Sequence, residues 1–178
     1  MKIGRKDCQD LERALSLEWL EQNGRAGFAS GTVAGAHTRR YHALLLTARK
    51  PPSERFVLVN HLEEWLAIDA HVVPLSTNLY PGAVHPTGYE HCVEFSTDPW
   101  PIWTFACNGM KLQREILLIQ GRDLVIVRWT LLGRKKQRAV LRVRPKLTAR
   151  DYHGTHHENG NLSTEASIGD GLVAWQLY

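Results

Sequence analysis

Trp103 to Leu132, WTFACNGMKLQREILLIQGRDLVIVRWTLL, decides the fold. It contains three β-branched or aromatic-rich runs, WTFAC, KLQREILLI and DLVIVRWTLL, separated by Asn108-Gly109 and by Gly121-Arg122-Asp123. Asn-Gly supplies the left-handed backbone of a two-residue hairpin loop, and Gly-Arg-Asp marks a second reversal. Three consecutive antiparallel strands follow from this pattern. On either side lie further runs of the same kind, RFVLV from Arg55, AVLRVR from Ala139 and LVAWQLY from Leu172, with turn signals at Gly133 and Asp170-Gly171. The fold class is mainly β, an antiparallel β-sandwich.

Two segments read less simply. In CQDLERALSLEWLEQNG, Leu11, Leu15 and Trp19 share a helical face, yet Leu17, Trp19 and Phe28 equally suit a first strand. VVPLSTNLYPGAVHPTGYEHCVEF, from Val72 to Phe95, is rich in Pro, Gly and Asn without a sustained period, and reads as a long ordered loop over the sheet surface.

The chain has 178 residues, with 43% hydrophobic and 22% charged, which fits one globular domain. No apolar run reaches the roughly 18 residues of a membrane span, and none follows the basic N-terminus as a signal-peptide core would. Cys8, Cys92 and Cys107 are widely spaced and include no CxxC pair, so they read as reduced thiols of a cytoplasmic protein. The net charge of +4 raises a nucleic-acid reading, centred on Arg134, Lys135, Lys136, Arg138, Arg142, Arg144 and Lys146. In AVLRVRPKL, however, arginine alternates imperfectly with apolar residues, as on one solvated strand face, and GRKKQ before it reads as a hairpin tip.

Chemistry is sparse. The glycines from Gly24 to Gly35 match neither GxGxxG nor GxxxxGK[ST], and no GxSxG elbow occurs. His153, His156 and His157 lack zinc-ligand spacing and read as a polar loop, so no metal or cofactor is expected. Glycoside hydrolysis needs two carboxylates roughly 5 to 10 Å apart. Glu63 and Glu64 would point to opposite faces of a strand, and Glu90 with Glu94, or Asp151 with Glu158, could meet only through tertiary contacts. No catalytic residue is assigned.

Separated motifs then become informative together. The first set is Glu18-Trp19-Leu20, Asn23-Gly24, Gly27, Ser30-Gly31-Thr32, Gly35, Thr38-Arg39-Arg40-Tyr41-His42 and Leu44-Leu45. Downstream come Asn78-Leu79-Tyr80-Pro81-Gly82, His85-Pro86-Thr87-Gly88-Tyr89, Phe95, Asp98-Pro99-Trp100-Pro101-Ile102-Trp103, Arg114-Glu115 and Arg150-Asp151-Tyr152-His153. This order resembles the N-terminal domain of bacterial and archaeal glycogen debranching enzymes of the amylo-α-1,6-glucosidase type. Ala26 and Ala43 stand where that family usually has glycine, and alanine disfavours positive φ.

The resemblance implies a β-supersandwich preceding an (α/α)6 barrel that carries the two catalytic carboxylates of an inverting hydrolysis. Residues 1–178 are then a single N-terminal domain, truncated at its C-terminal end and non-catalytic alone, whose partners are the downstream barrel and an α-glucan limit dextrin. The residues expected at a substrate-binding or domain-interface site are Arg39, Tyr41, His42, Arg150, Asp151, Tyr152 and His153. For Tyr41 and His42 the competing role is structural, with their polar tips satisfied by neighbouring loops, and Trp100 and Trp103 divide likewise between core packing and stacking on glucose. A stand-alone α-glucan-binding module is the alternative function, and a basic nucleic-acid-binding β protein a third.

Overall fold

The computed structural model describes residues 1–133, 138–155 and 159–177. The chain opens with β1 (Lys2–Gly4), α1 (Arg5–Gln9) and α2 (Leu11–Ser16), followed by β2 (Glu18–Gln22), β3 (Phe28–Thr32), β4 (Ala43–Lys50) and β5 (Ser53–Ile68). Next come β6 (His71–Pro74), β7 (Thr77–Tyr80), β8 (Ala83–Thr87), a 3-10 turn (Gly88–His91) and β9 (Cys92–Ser96). The remainder is β10 (Ile102–Cys107), β11 (Met110–Leu118), β12 (Val125–Leu132), β13 (Ala139–Asp151), β14 (Ala166–Gly169) and β15 (Leu172–Trp175).

Two antiparallel sheets form the sandwich. The first has the order β1-β9-β10-β11-β12; the second has the order β13-β5-β4-β3-β2, with β6 also paired to β5. Strands β10 to β12 are the meander expected from the sequence. Cys107 opposes Met110 across a loop of Asn108 and Gly109, whose φ values are 46° and 78°. Period-two alternation sends Trp103, Phe105 and Cys107 of β10, and Leu112, Arg114, Ile116 and Leu118 of β11, between the sheets. There the Trp103 ring lies 4.8 Å from Phe95 and meets the edge of Trp19 at 5.3 Å. Burying each such ring is worth about 2–3 kcal/mol. Trp103 therefore takes the core role, and its indole donates to the Val33 carbonyl at 2.9 Å. Trp100 donates to Glu115 at 3.1 Å.

The ambiguous N-terminal segment is both helix and strand. Asp10 caps α2 by accepting from the Arg13 amide at 3.0 Å, Leu11 and Leu15 pack on the core, and the chain turns extended at Leu17. Val72 to Phe95 is not the loop its composition indicates: it holds β7 and β8 paired to each other, β6 on β5, and β9 within the first sheet. These strands have four or five residues each, too few to register a period in sequence. Gly88 fixes their crossing, because a Cβ there would lie 2.3 Å from the Leu75 carbonyl carbon.

GRKKQ also needs correction. Residues 134–137 lie outside the described residues, but the flanking strands do not form a hairpin: β12 pairs with β11, and β13 crosses to the other sheet to pair with β5. Alternation within each strand cannot reveal that switch. Strand β13 is nonetheless the solvated edge expected, with Arg144 and Lys146 both paired to Glu63.

Candidate functional site

A second, smaller apolar cluster lies on the second sheet, apart from the core between the sheets. Ala43, Leu46 and Val57 are fully buried there, with Phe28 and Tyr152 packed over them. Two polar segments meet above it: Thr38 to His42, before β4, and Arg150 to Gly154, at the end of β13.

His42 is buried, at 3% exposure. Its Nδ1 accepts from the Thr38 amide at 3.2 Å, and its Nε2 lies 3.5 Å from Glu18 Oε1. Burial lowers its pKa, against the opposing pull of Glu18. Arg39 also reaches Glu18, at 2.5 Å, so Arg39 and His42 share one carboxylate. The structural role weighed for His42 is thus satisfied geometrically.

The other predicted residues form a denser group. Arg150 donates to the carbonyl of Arg40 at 2.6 Å and to that of Gly154 at 3.0 Å, joining segments 110 residues apart. Arg40 returns a bond to the His153 carbonyl at 3.1 Å, and Tyr41 Oη lies 3.2 Å from His153 Nδ1. Asp151 holds the turn by accepting from the His153 amide at 2.8 Å. Ring centroids of Tyr41 and Tyr152 are 5.3 Å apart, those of Tyr152 and His153 3.9 Å. Arg55 lies over Tyr152 at 5.3 Å and Arg40 over Tyr41 at 5.9 Å. Beside this stack runs a groove of about 790 Å³, lined by Glu18, Leu20, Phe28, Arg39, Tyr41 and Arg55 among others.

Sequence reasoning missed two polar groups inside the fold, one fully and one partly buried. Glu64 of β5, fully buried, accepts from Arg114 of β11 at 2.6 Å and from Trp129 of β12 at 2.7 Å, tying the sheets together. Arg114 also lies 4.2 Å over the Trp103 ring. The signal was present: Arg114 shares parity with Leu112 and Ile116, and Glu64 with Leu66 and Ile68. The second group is His37, Asn60 and His61. His37 Nδ1 lies 3.3 Å from Asn60 Oδ1, and its ring centroid is 5.6 Å from His42 and 5.5 Å from His61. Burial, with the neighbouring imidazoles, pulls His37 down to about 3, and burial also lowers His61.

Glu63 and Glu64 do point to opposite faces: Glu63 meets Arg144, Lys146 and Asn78. Burial raises the Glu63 pKa, but Arg144 and Lys146 outweigh it and leave it lowered. Glu90 accepts from Thr87, and Glu94 pairs with Lys2. Glu158, His156 and His157 lie outside the described residues. Among the described residues no group of three or more His, Cys, Asp or Glu could hold a metal ion.

The family described as glycogen debranching enzyme N terminal matches residues 17–178. The chain belongs to this family. No curated protein and no solved structure matches it.

Several motif residues of this debranching-enzyme N-terminal domain have a structural explanation. Asn23 is fully buried between the β2–β3 and β11–β12 turns. Its side-chain oxygen accepts from the amides of Arg25 and Gly27, and its nitrogen donates to Arg122 O and Asp123 Oδ1. All four side-chain hydrogen-bonding positions are used. Ala26 completes that turn at φ 63°, a conformation that favours glycine, whereas Ala43 sits fully buried on β4 without such a demand.

Proposed function

We propose that this debranching-enzyme N-terminal domain docks on the (α/α)6 catalytic barrel of the same enzyme through the joined Arg39–His42 and Arg150–His153 segments, and helps shape the pocket for α-1,6 glucan branch stubs. One observation carries the reading: Tyr41, Tyr152 and His153 stack on a single surface, although 111 residues separate Tyr41 from Tyr152 in sequence. Arginine and tyrosine on a preformed surface are the side chains that concentrate binding energy at interfaces. Conformational order invested in this surface, away from the main core, is accounted for by contact with something else.

On this reading the chain by itself is not a catalyst. The acid and base that glycoside hydrolysis requires belong to the barrel, and the candidates Glu63, Glu64, Glu90, Glu94 and Asp151 are occupied by the partners described above. The domain works in the cytoplasm. Cys8, Cys92 and Cys107 are all unpaired and buried, which suits a reducing compartment, and no helix among the described residues is long and apolar enough to cross a membrane.

The test is Tyr41→Ala in the whole enzyme. Turnover of a limit dextrin should fall about tenfold or more while the melting temperature stays within a degree or two. Unchanged turnover would remove the segment from function. If residues 1–178 alone bind maltooligosaccharide tightly and do not associate with a barrel, the stand-alone glucan-binding module replaces this reading.

A further inference from the structure

We propose that the surface around Tyr41, Tyr152 and His153 receives an acidic segment of the catalytic domain, and not a neutral sugar; this rests on the docking reading above. Three guanidiniums surround the ring stack. Arg40 donates to the His153 carbonyl, Arg55 to the Pro52 carbonyl, and Arg150 to the carbonyls of Arg40, Tyr152 and Gly154. Among the described residues none of the three meets a carboxylate within salt-bridge distance, whereas Arg49, Arg114, Arg128 and Arg144 each do. Glu18 is already shared by Arg39 and His42, and Asp151, which accepts from the His153 amide, favours the Arg150 charge without forming an ion pair with it.

Arg40 and Arg55 hold two positive charges over one pair of tyrosine rings, and Arg150 lies beside them on the Arg40 and Tyr152 carbonyls. Main-chain carbonyls satisfy their donors but leave the charge in place. A glucan hydroxyl would do the same, since it is neutral. A carboxylate offsets the charge and matches the planar fork of arginine with two parallel hydrogen bonds. Arg40 and Tyr41 are exposed, and Arg55 borders the open groove, so a chain lying along it can reach these groups without unfolding the domain. The partner chemistry is therefore a stretch bearing Asp or Glu, presented by the barrel.

The experiment titrates residues 1–178 calorimetrically with an isolated catalytic barrel domain of a glycogen debranching enzyme, across a salt series and with maltohexaose as competitor. Arg40→Gln and Arg55→Gln should each weaken association about tenfold and flatten its salt dependence, with Arg40→Lys retaining part of it. Maltohexaose should not compete. Circular dichroism and melting of each variant show whether the fold is intact. Association that ignores both glutamine substitutions and salt would overturn the acidic partner while leaving the docking reading standing. Competition by maltohexaose, lost in the same variants, would assign the surface to sugar and also overturn it. Absence of any association with the barrel would overturn the docking reading itself.

Discussion

Arg114 and Arg150 resolve the same difficulty in opposite ways. Arg114 lies between the two sheets, and its charge is met by Glu64 at 2.6 Å and by the face of Trp103. Arg150 lies at the outer cluster, where main-chain carbonyls bind its donors and Asp151 favours its charge without an ion pair. The first arrangement is closed: removing either member strands a charge where water cannot replace it. The second is open, with Arg40 and Arg55 beside it likewise bonded to carbonyls and without an ion pair among the described residues. A charge matched internally holds the sandwich together; a charge left unmatched at an ordered surface is available to a partner.

The comparison breaks most readily at its closed end. Arg114→Ala should cost about 3–5 kcal/mol, because Glu64 is left buried without its cation, and urea unfolding measures it. The double replacement Glu64→Leu with Arg114→Met should recover most of that loss; a double variant as unstable as the single one would mean the pair is not the source of the cost.

Acid provides the next largest effect. Burial, with the neighbouring imidazoles, pulls the His37 pKa from its ordinary 6.5 down to about 3 in the fold. The unfolded chain thus binds a proton that the folded chain refuses, and stability rises with pH across that window. It is complete above about pH 6.5 and falls as pH drops toward 3, by about 1.4 kcal/mol per unit for this one group. Glu115, held below its usual range by Arg128, and Glu63, held there by Arg144 and Lys146 against burial, add their losses only below about 4.5. Urea midpoints measured between pH 7 and 5 should decline in the native chain and decline less steeply in His37→Asn, where His42 and His61, also lowered by burial, keep part of the slope. A native midpoint constant over that range would show that His37 is not protected from protonation.

Ala26→Gly should stabilise by about 1 kcal/mol, since φ 63° is strained for alanine and free for glycine. A neutral or negative change would mean that the turn relaxes around alanine. The smallest effect is expected at the open end: Arg40→Gln should change stability by no more than about 0.5 kcal/mol. Thermal unfolding tests this, and a loss like that of Arg114→Ala would erase the distinction between the two regions.

Much of the architecture was legible because side-chain alternation is a local property. WTFAC, KLQREILLI and DLVIVRWTLL became β10 to β12, with Asn108-Gly109 at the tip, and the parity of adjacent Glu63 and Glu64 held. Where strands shrank to four residues, as in β6 and β7, alternation had no room to appear and turn residues dominated the composition. The exit from β12 was misjudged for another reason: a hairpin and a crossover between sheets place the same residues on the same faces. At the site, all seven predicted residues lie in two connected groups, yet nothing in RRYH or RDYH indicated that one would contact the other. His37, Asn60 and His61 escaped attention because a half-buried imidazole is distinguished by its surroundings and not by its spacing.

The sequence by itself determined the strands of the longer apolar runs, the turns at Asn108-Gly109 and Gly121, the alternation of faces within those strands, and the family to which the chain belongs. All of these depend on near neighbours or on the order of motifs. Only the tertiary structure decided that Glu64 meets Arg114, that Asn23 joins two turns from different sheets, and that Arg150 fastens to the Arg40 carbonyl across 110 residues. Such pairings are set by the stacking and register of whole sheets, where the free energy of burying a charge depends on which partner arrives opposite it. That information is shared across the chain and is carried by no single segment.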